Sequence, residues 1–368
     1  MDTMLDSALK LLKELTSHNY EAYIVGGFVR DYLLGRESQD IDVTTNATPK
    51  EIQEIFDDGF LPTDDYGSVI VKKYGVRFEI TTFRKELSYQ NHRKPDEILY
   101  IDDLYQDLLR RDFTVNAICM DENGEIIDFL GGKDDLERKI IRTIGDPFMK
   151  LEQDALRILR AIRFATVLDF QLDRDLQEAI RKNKHLLTEL SYHRKKEELD
   201  KMFASGYAKK GIQLLLDFHL DKNLELKNLS RVTNTNSLIG IWSILDVDTL
   251  YPFSNHEKEL MKDIRDVMKL NNMDPTVLYH YGLYANSVAA EMKGLDKKDI
   301  TESYNQLVIH RRQDLDITSR DIMKCLNKEP GEYLSDVYED IEKEVLYHRL
   351  GNHKEELLSY IKEKFLSV

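Results

Sequence analysis

Residues 25–42 read VGGFVRDYLLGRESQDID, and two features of this stretch decide the fold. Gly26 and Gly27 follow an apolar run and precede a helical pattern, which predicts a strand-to-helix turn whose backbone amides can face a phosphate. Asp40 and Asp42 are two residues apart, so on a strand their carboxylates point the same way. Two adjacent carboxylates suit Mg²⁺, which takes its other ligands from water and substrate phosphates. This combination indicates phosphoryl transfer.

Hydrophobic periodicity predicts strands interleaved with helices in the first third of the chain. Thr48, Pro49 and Glu51 form a capping box with proline at the first helical position, which marks the start of one helix. Beyond about Asp134 the pattern is helical almost throughout, so we expect an α+β head followed by an all-α remainder. The predicted strands are 22–25, 41–45, 68–73, 77–83, 98–101, 117–121 and 125–128, and the predicted helices of the head are 4–16, 28–34 and 49–57.

Composition limits the class of protein. The chain has 368 residues and 42% hydrophobic content, enough for a large core and more than one structural unit. Cys119 and Cys325 are the two cysteines, so neither a disulfide framework nor a zinc site is indicated. The apolar runs are too short to span a bilayer, and the N-terminal segment predicts an amphipathic helix rather than a signal peptide. We therefore expect a cytoplasmic protein without a membrane partner.

The charge is unevenly distributed. The net charge is −15, which argues against nucleic acid as a partner. Residues 131–210, however, carry 18 Lys or Arg and 14 Asp or Glu, so this segment is locally basic. Such a surface can bind RNA through a few phosphate contacts, or it can be an ordinary solvated surface.

Four motifs in sequence order resemble those of one enzyme family. The string G-G-x-V-R-D-x-L-L-G followed by D-x-D resembles the opening of the class II tRNA nucleotidyltransferases, which include CCA-adding enzymes and bacterial poly(A) polymerases of the polymerase β superfamily. The other motifs are similar to later blocks of that family, and together they cover about residues 20–205. They are Arg110–Ala117 (RRDFTVNA), Asp128–Gly132 (DFLGG) and Asp154–Phe164 (DALRILRAIRF).

The resemblance implies an architecture and an activity. It implies a polymerase β-like nucleotidyltransferase head with a mixed sheet (1–135), a helical neck that reads the base (136–205), a helical body (206–270) and a helical tail that binds tRNA (271–368). The implied reaction is template-independent addition of CCA to the 3′ end of tRNA from CTP and ATP, with release of pyrophosphate. Whether the protein is a monomer or a homodimer stays open.

In such a reaction the primer 3′-hydroxyl attacks the α-phosphorus. Two Mg²⁺ ions held by Asp40 and Asp42 would activate the hydroxyl and neutralise the leaving charge. Glu79 is the candidate for the third carboxylate, as metal ligand or proton acceptor, although a solvated strand residue is the alternative. Gly26, Gly27 and Arg30 would hold the triphosphate, with Asp31 orienting Arg30.

The remaining candidates would recognise the sugar and the base. Arg111 and Asp112 resemble the residues at the ribose, where a carboxylate accepting the 2′-hydroxyl favours ribonucleotides, and Asn116 would support that turn. Cytosine and adenine both present an amino donor beside a ring-nitrogen acceptor, so an acceptor on Asp154 and donors on Arg157 can select them without a template. We expect these two residues to be neighbours on one helix, with Arg160 near the base pocket and Arg163 turned toward the phosphates or the neck.

Two positions depart from the family pattern, and one segment bears on the product. Gln153 stands where the family usually has Glu, and His193 where a later S-x-E-R motif has Glu, with Ser191 and Arg194 retained. Both departures put in doubt how well the nucleotide pocket changes from selecting C to selecting A. Residues 82–95 are polar and predict a mobile loop of full length, which in the family is associated with addition of the terminal A.

Other functions remain possible on the sequence alone. Close relatives add only CC, only A, or poly(A); the full-length loop disfavours the first, and the absence of a basic tail disfavours the third. A catalytically silent RNA-binding protein on the same scaffold is the distant alternative. Six intact candidate residues argue against it, namely Asp40, Asp42, Arg111, Asp112, Asp154 and Arg157.

Overall fold

The structure is a computed structural model that describes residues 2–38, 40–57, 59–62, 67–89 and 95–366. The chain divides into two compact units, Met1–Leu226 and Lys227–Val368. Among the described residues, no helix has the length and apolar character needed to cross a membrane. The boundary between the units lies inside the predicted helical body, and the finer division into four domains stays a prediction.

The first unit is built on a seven-stranded mixed sheet with the strand order β3-β4-β5-β2-β1-β8-β9. Its two central neighbours, β2 and β5, are parallel, and the other pairs are antiparallel. This confirms the predicted mixed-sheet head. The strands of the chain are β1 (Ala22–Val25), β2 (Ile41–Thr45), β3 (Phe60–Pro62), β4 (Ser68–Lys73), β5 (Val76–Thr82), β6 (Arg84–Tyr89), β7 (Pro95–Tyr100), β8 (Cys119–Met120), β9 (Ile126–Ile127), β10 (Ile140–Ile141) and β11 (Gln171–Leu172).

Helices cover the sheet and complete the first unit. The capping box predicted at Thr48 is present, since Thr48 Oγ1 accepts from the Glu51 amide while the Glu51 carboxylate accepts from the Thr48 amide. The helices of this unit are α1 (Asp2–Ser17), α2 (Gly27–Leu33), α3 (Pro49–Ile55), α4 (Leu104–Leu109), α5 (Gly132–Arg138), α6 (Pro147–Gln153), α7 (Leu156–Val167), α8 (Arg174–Asn183), α9 (Tyr192–Phe203), α10 (Ala208–Asp217) and α11 (Leu220–Asn223).

The segment predicted to be a mobile loop is largely a β-hairpin. Strands β6 and β7 pair with each other in a separate two-stranded sheet, with a register irregularity between Glu86 and Tyr89. The loop prediction was therefore wrong for Arg84–Tyr89, while residues 90–94 lie outside the described part of the chain. The predicted all-α remainder also contains one short parallel pair, β10 with β11.

The second unit is helical. Its main hydrophobic core includes Leu278, Ile309, Ile322, Ile341 and Ile361, each nearly or fully buried. Its helices are α12 (Leu238–Leu245), α13 (Asn255–Lys269), α14 (Pro275–Met292), α15 (Lys297–Asn305), α16 (Ser319–Leu326), α17 (Tyr333–Leu346) and α18 (Lys354–Leu366), with a kink in α14 at Gly282.

Candidate active site

A cavity of about 730 Å³ in the first unit brings together nearly all the predicted site residues. The exception is Glu79, which is exposed and does not line the cavity. The predicted residues that do line it are Gly26, Gly27, Arg30, Asp40, Asp42, Arg111, Asp112, Asn116, Asp154, Arg157, Arg160 and Arg163.

The glycine turn lies against the carboxylate of Asp42. Gly26 follows β1 directly and has φ of +82°, a backbone conformation that residues other than glycine rarely adopt. A Cβ built on Gly26 would lie 3.5 Å from Asp42 Oδ2 and 3.9 Å from Arg111 Nη1. A side chain at this position would therefore enter the space beside the carboxylate, where a phosphate or a cation could otherwise be held.

Strand register fixes the position of the acidic residues. Asp42 lies in β2, opposite Val25 of β1 and level with Glu79 of β5, while the exposed Asp40 immediately precedes β2. Burial raises the pKa of Asp42, nearby Arg111 lowers it, and the Asp40 charge raises it further, with a net increase. A cation would neutralise this unfavourable charge, so the two carboxylates and the adjacent Gly26 turn fit a bound Mg²⁺. In the described part of the chain, no cluster of three or more His, Cys, Asp or Glu residues has metal-binding geometry.

Arg30 is held rigidly at the cavity wall. Its guanidinium donates two hydrogen bonds to the Asp31 carboxylate at 2.9 and 2.8 Å, and its Nη1 donates to Asn116 Oδ1 at 2.7 Å. It also lies 5.3 Å from the ring centre of Phe164. The arrangement orients the guanidinium before any ligand binds, which reduces the entropic cost of binding an anion.

Asp112 connects this wall to α7. Its Oδ1 accepts from Asn116 Nδ2 at 3.2 Å and from the Phe113 amide at 2.8 Å, and its Oδ2 accepts from Arg160 Nε at 2.6 Å. Burial raises the pKa of Asp112, but these donors and the Arg160 charge outweigh it and hold the pKa below its ordinary value. Asp112 is therefore ionised at neutral pH.

Asp107 was missed by the sequence analysis. It is fully buried and accepts from Arg110 Nε at 2.8 Å and Arg111 Nη2 at 3.4 Å. It also accepts from the Arg84 amide at 3.1 Å, which ties the start of the hairpin to the two arginines. An Asp three and four residues before an Arg pair is the sequence signal that could have identified it.

Asp154 and Arg157 are not neighbours on one helix, contrary to the prediction. Helix α6 ends at Gln153, Asp154 has extended backbone with φ of −141° and ψ of 104°, and α7 begins at Leu156. The Asp154 carboxylate accepts from the Leu156 amide at 3.1 Å, a local bond by which Asp competes with continuous helix. Both side chains still line the same cavity.

The two side chains also have different partners. Arg157 is buried, and it donates to the carbonyls of Lys150 at 3.0 Å and Arg110 at 3.2 Å. Asp154 instead contacts Arg194, whose Nη2 lies 3.4 Å from each carboxylate oxygen. Arg194 was recognised from the sequence as a retained motif residue but was not assigned to the site.

Arg160 and Arg163 of α7 both line the cavity and differ in their shortest contact, and their separate roles stay a prediction. Arg160 contacts Asp112, while Arg163 Nε donates to Glu198 of α9 at 2.6 Å. Both guanidinium groups lie over the Phe164 ring, at 5.4 and 4.0 Å from its centre. Phe164 is the last residue of the motif DALRILRAIRF and Glu198 lies outside it, and neither was assigned to the site from the sequence.

The two departures from the family pattern have different surroundings. Gln153 Oε1 accepts from Arg157 Nη1 at 3.4 Å, so an uncharged contact occupies the position where a carboxylate was expected. His193 is exposed and lies 3.4 Å from Glu197 on the same helix. His193 does not line the cavity.

Comparison with known proteins identifies the family. The chain is 35% identical to a CCA-adding enzyme of Bacillus pumilus, with 96% of each chain covered. It is 33% identical to a CCA-adding enzyme of Ligilactobacillus salivarius, with 97% of this chain and 96% of the relative covered. The chain belongs to the CCA-adding enzyme family of tRNA nucleotidyltransferases.

Family models and a solved structure agree with this membership. The family model described as the poly A polymerase head domain matches residues 22–142. The model described as a probable RNA and SrmB-binding site of polymerase A matches residues 169–228. The model described as a putative tRNA nucleotidyltransferase domain 2 matches residues 249–361. The Bacillus stearothermophilus CCA-adding enzyme, solved in complex with CTP, superposes with a TM-score of 0.89 at 27% identity and covers 98% of each chain. The fold of this CCA-adding enzyme family therefore extends over both units.

Proposed function

We propose that this protein adds CCA to the 3′ end of tRNA, using CTP and ATP and releasing pyrophosphate. The observation that carries the proposal is one cavity lined by Gly26, by Asp40 and Asp42, and by an arginine wall that includes Arg30, Arg111, Arg157 and Arg160. Membership of the CCA-adding enzyme family supports the same activity. Because bacteria process tRNA in the cytoplasm, we infer that the protein is cytoplasmic.

Asp40 and Asp42 are the proposed metal ligands. Mg²⁺ held by these residues would lower the pKa of the primer hydroxyl and would neutralise charge on the leaving pyrophosphate. Asp42 is level with Glu79 across the parallel β2/β5 pair, so Glu79 stays a candidate for a proton acceptor. Its exposure outside the cavity lining makes it the weakest of the acidic candidates.

The arginine wall is proposed to hold the triphosphate and the ribose. Arg30 is preoriented by Asp31 and Asn116, and Gly27 next to it leaves the backbone accessible to a phosphate. Asp112 is ionised and accepts from the Phe113 amide, from Asn116 Nδ2, and from Nε and Nη2 of Arg160, so a ribose 2′-hydroxyl would bind it by sharing an oxygen with one of these donors. A ribonucleotide would thus be favoured over a deoxyribonucleotide.

Asp154 and Arg157 are proposed to select the base. The Asp154 carboxylate can accept from the amino group shared by cytosine and adenine. Arg157 Nη1 already donates to the Lys150 carbonyl and to Gln153, and Nη2 donates to the Arg110 carbonyl, so the second hydrogen of Nη2 and the Nε hydrogen are left for a ring nitrogen. Guanine and uracil present the reverse pattern and would leave buried polar groups unpaired, at a cost of about 1–3 kcal/mol each.

The metal assignment is tested by Asp40→Ala and Asp42→Ala. We expect incorporation of both CTP and ATP to fall below about a hundredth of wild type, while affinity for tRNA changes little, because these carboxylates bind metal rather than RNA. Asp57→Ala is a matched control, since Asp57 is exposed and outside the cavity. Substantial residual activity on both nucleotides in either variant would refute the role of the pair.

A further inference from the structure

We infer that Phe164 is a positioning residue for the triphosphate: its ring holds guanidinium groups from two helices together at the cavity before a nucleotide binds. The inference rests on the proposed function and concerns a residue to which no role was assigned from the sequence. Phe164 lies in α7, lines the cavity and is only 7% exposed. With so little of its surface accessible, the ring acts on a nucleotide through the groups that it contacts.

Three guanidinium groups lie over this one ring. Their central carbons are 5.3 Å from the ring centre for Arg30, 5.4 Å for Arg160 and 4.0 Å for Arg163. Arg160 is four residues before Phe164 on the same helix, so helical geometry alone brings these two side chains together. Arg30 belongs to α2, far earlier in the chain, so its approach to the ring is not imposed by local geometry.

The ring and the carboxylates contact different parts of the guanidinium groups. Because guanidinium N–H bonds lie in the plane of the group, a carboxylate that accepts from them contacts its edge and leaves its face to the ring. The carboxylate partners are Asp31 for Arg30 at 2.8 Å, Asp112 for Arg160 at 2.6 Å and Glu198 for Arg163 at 2.6 Å.

The guanidinium groups repel one another in spite of these partners. Burial lowers the pKa of Arg163, Glu198 raises it, and the charge of Arg160 lowers it further, with a net decrease. The face of an aromatic ring carries partial negative charge and attracts cations. A ring in contact with all three groups therefore favours an arrangement that their mutual repulsion opposes, and an aliphatic side chain would fill the space without this attraction.

Phe113 supports the orientation of the ring. The two rings meet edge to face, with centres 5.7 Å apart and planes inclined at 76°. Phe113 is fully buried and immediately follows Asp112, which accepts from Arg160. The Phe164 ring is therefore packed against the same turn that carries the carboxylate partner of Arg160.

Guanidinium groups that are already in place reduce the cost of binding a polyanion. Without the ring we expect Arg30 and Arg160 to separate, so that a triphosphate must bring them together as it binds. A triphosphate depends on this convergence more than a monophosphate does, because it carries more negative charge. The proposed base contacts are made by Asp154 and Arg157, so the preference for CTP over UTP should not change.

The test compares Phe164→Leu with fluorinated forms of Phe164 in the full-length protein. Incorporation of singly, doubly and triply fluorinated phenylalanine at position 164 withdraws charge from the ring face with little change of shape. Dissociation constants of CTP, ATP and CMP are measured by calorimetry with Mg²⁺ present. We expect Phe164→Leu to weaken binding of CTP and ATP by the same factor, about 3- to 10-fold, and binding of CMP by less than about twofold. The fluorinated forms should weaken CTP binding stepwise with the number of fluorine atoms.

Controls separate this role from packing. Phe170→Leu replaces another buried phenylalanine of the same unit that does not line the cavity, and it should leave nucleotide binding unchanged. Phe164→Tyr keeps an aromatic face and should retain the affinity for CTP within about twofold. In steady-state incorporation of C, Phe164→Leu should raise KM and keep kcat within about twofold of wild type, the pattern of a lost binding contribution. The fluorinated forms provide the test if Phe164→Leu does not fold.

Three results would overturn the inference. The first is unchanged CTP binding in Phe164→Leu and in all the fluorinated forms. The second is a loss in Phe164→Leu that the triply fluorinated form does not show, which would assign the ring a packing role only. The third is an equal loss for CTP and CMP, which would place the effect at the ribose or the base. A wild-type protein that does not bind CTP would refute the proposed function itself, and the inference with it.

Discussion

Asp42 carries a negative charge in surroundings that disfavour it. Burial raises the pKa of its carboxyl, and the neighbouring Asp40 adds to the increase despite the opposing effect of Arg111. The folded protein thus holds this proton more tightly than the unfolded chain does. A pair of carboxylates that binds a cation is electrostatically unfavourable while the cation is absent. This unfavourable charge lowers the stability of the folded protein.

We predict that Asp42→Asn stabilises the protein without metal. A raised folded-state pKa contributes stability that is present at pH values below the unfolded pKa and is lost as pH rises through the folded pKa. At pH 7 the variant should therefore have a free energy of unfolding higher by on the order of 1 kcal/mol, with the gain shrinking toward pH 3. Urea unfolding at several pH values in the presence of EDTA measures this difference. A variant less stable than wild type at pH 7 would contradict the electrostatic account.

Residue types at the site were readable from the sequence, but their partners were not. The motifs identified twelve of the cavity residues because acidic pairs and arginines at these spacings imply phosphate chemistry. They did not reveal that Asp154 contacts Arg194 forty positions later, since that contact depends on how α9 packs beside the α6–α7 break. Glu79 was matched to the family plan by its strand, and strand register alone does not determine the exposure of a side chain.

At the scale of elements, the β6–β7 hairpin is linked to the site through Asp107. The carboxylate of Asp107 accepts from the Arg84 amide at the start of β6 and from the side chains of Arg110 and Arg111. Burial raises the pKa of Asp107, but the two arginines and the backbone donor outweigh it and keep the pKa low. A change in the hairpin can therefore reach the arginine wall through one buried carboxylate.

We predict that replacing residues 85–93 with a short Gly-Ser linker spares the two C additions and impairs the final A. The last step requires the pocket to accommodate a larger base, whereas Arg84 and its bond to Asp107 are kept in this variant. Incorporation of C and A is measured separately on tRNA primers ending before C, after C and after CC. Equal loss of all three additions would assign the hairpin a general role in folding or tRNA binding.

The strands of the main sheet were predictable because one or both faces are buried. β1, β2 and β4 were predicted with their observed bounds, from apolar or alternating runs. β6 was predicted to be a loop because its sequence, RKELSY, lacks that pattern. β6 pairs only with β7, and such an isolated two-stranded hairpin needs no buried face. The break at Asp154 was missed because the apolar stripe of α7 continues the period of the preceding residues.

At the scale of the whole molecule, an acidic chain presents a basic catalytic region. The net charge is −15, yet the cavity lining contains nine arginines or lysines, among them Arg30, Arg160 and Lys201. Long-range repulsion of RNA and local attraction at the site therefore oppose each other. Family membership over both units places this cavity in a tRNA nucleotidyltransferase, and the number of nucleotides it adds is the central question.

The product ladder answers that question directly. A tRNA that lacks its 3′ CCA is incubated with CTP, with ATP, or with both, and the products are separated at single-nucleotide resolution. We predict two additions with CTP alone, no addition with ATP alone, and three additions with both nucleotides. Addition of A only to tRNA already ending in CC, arrest after CC with both nucleotides present, or a long ladder of A residues would contradict it.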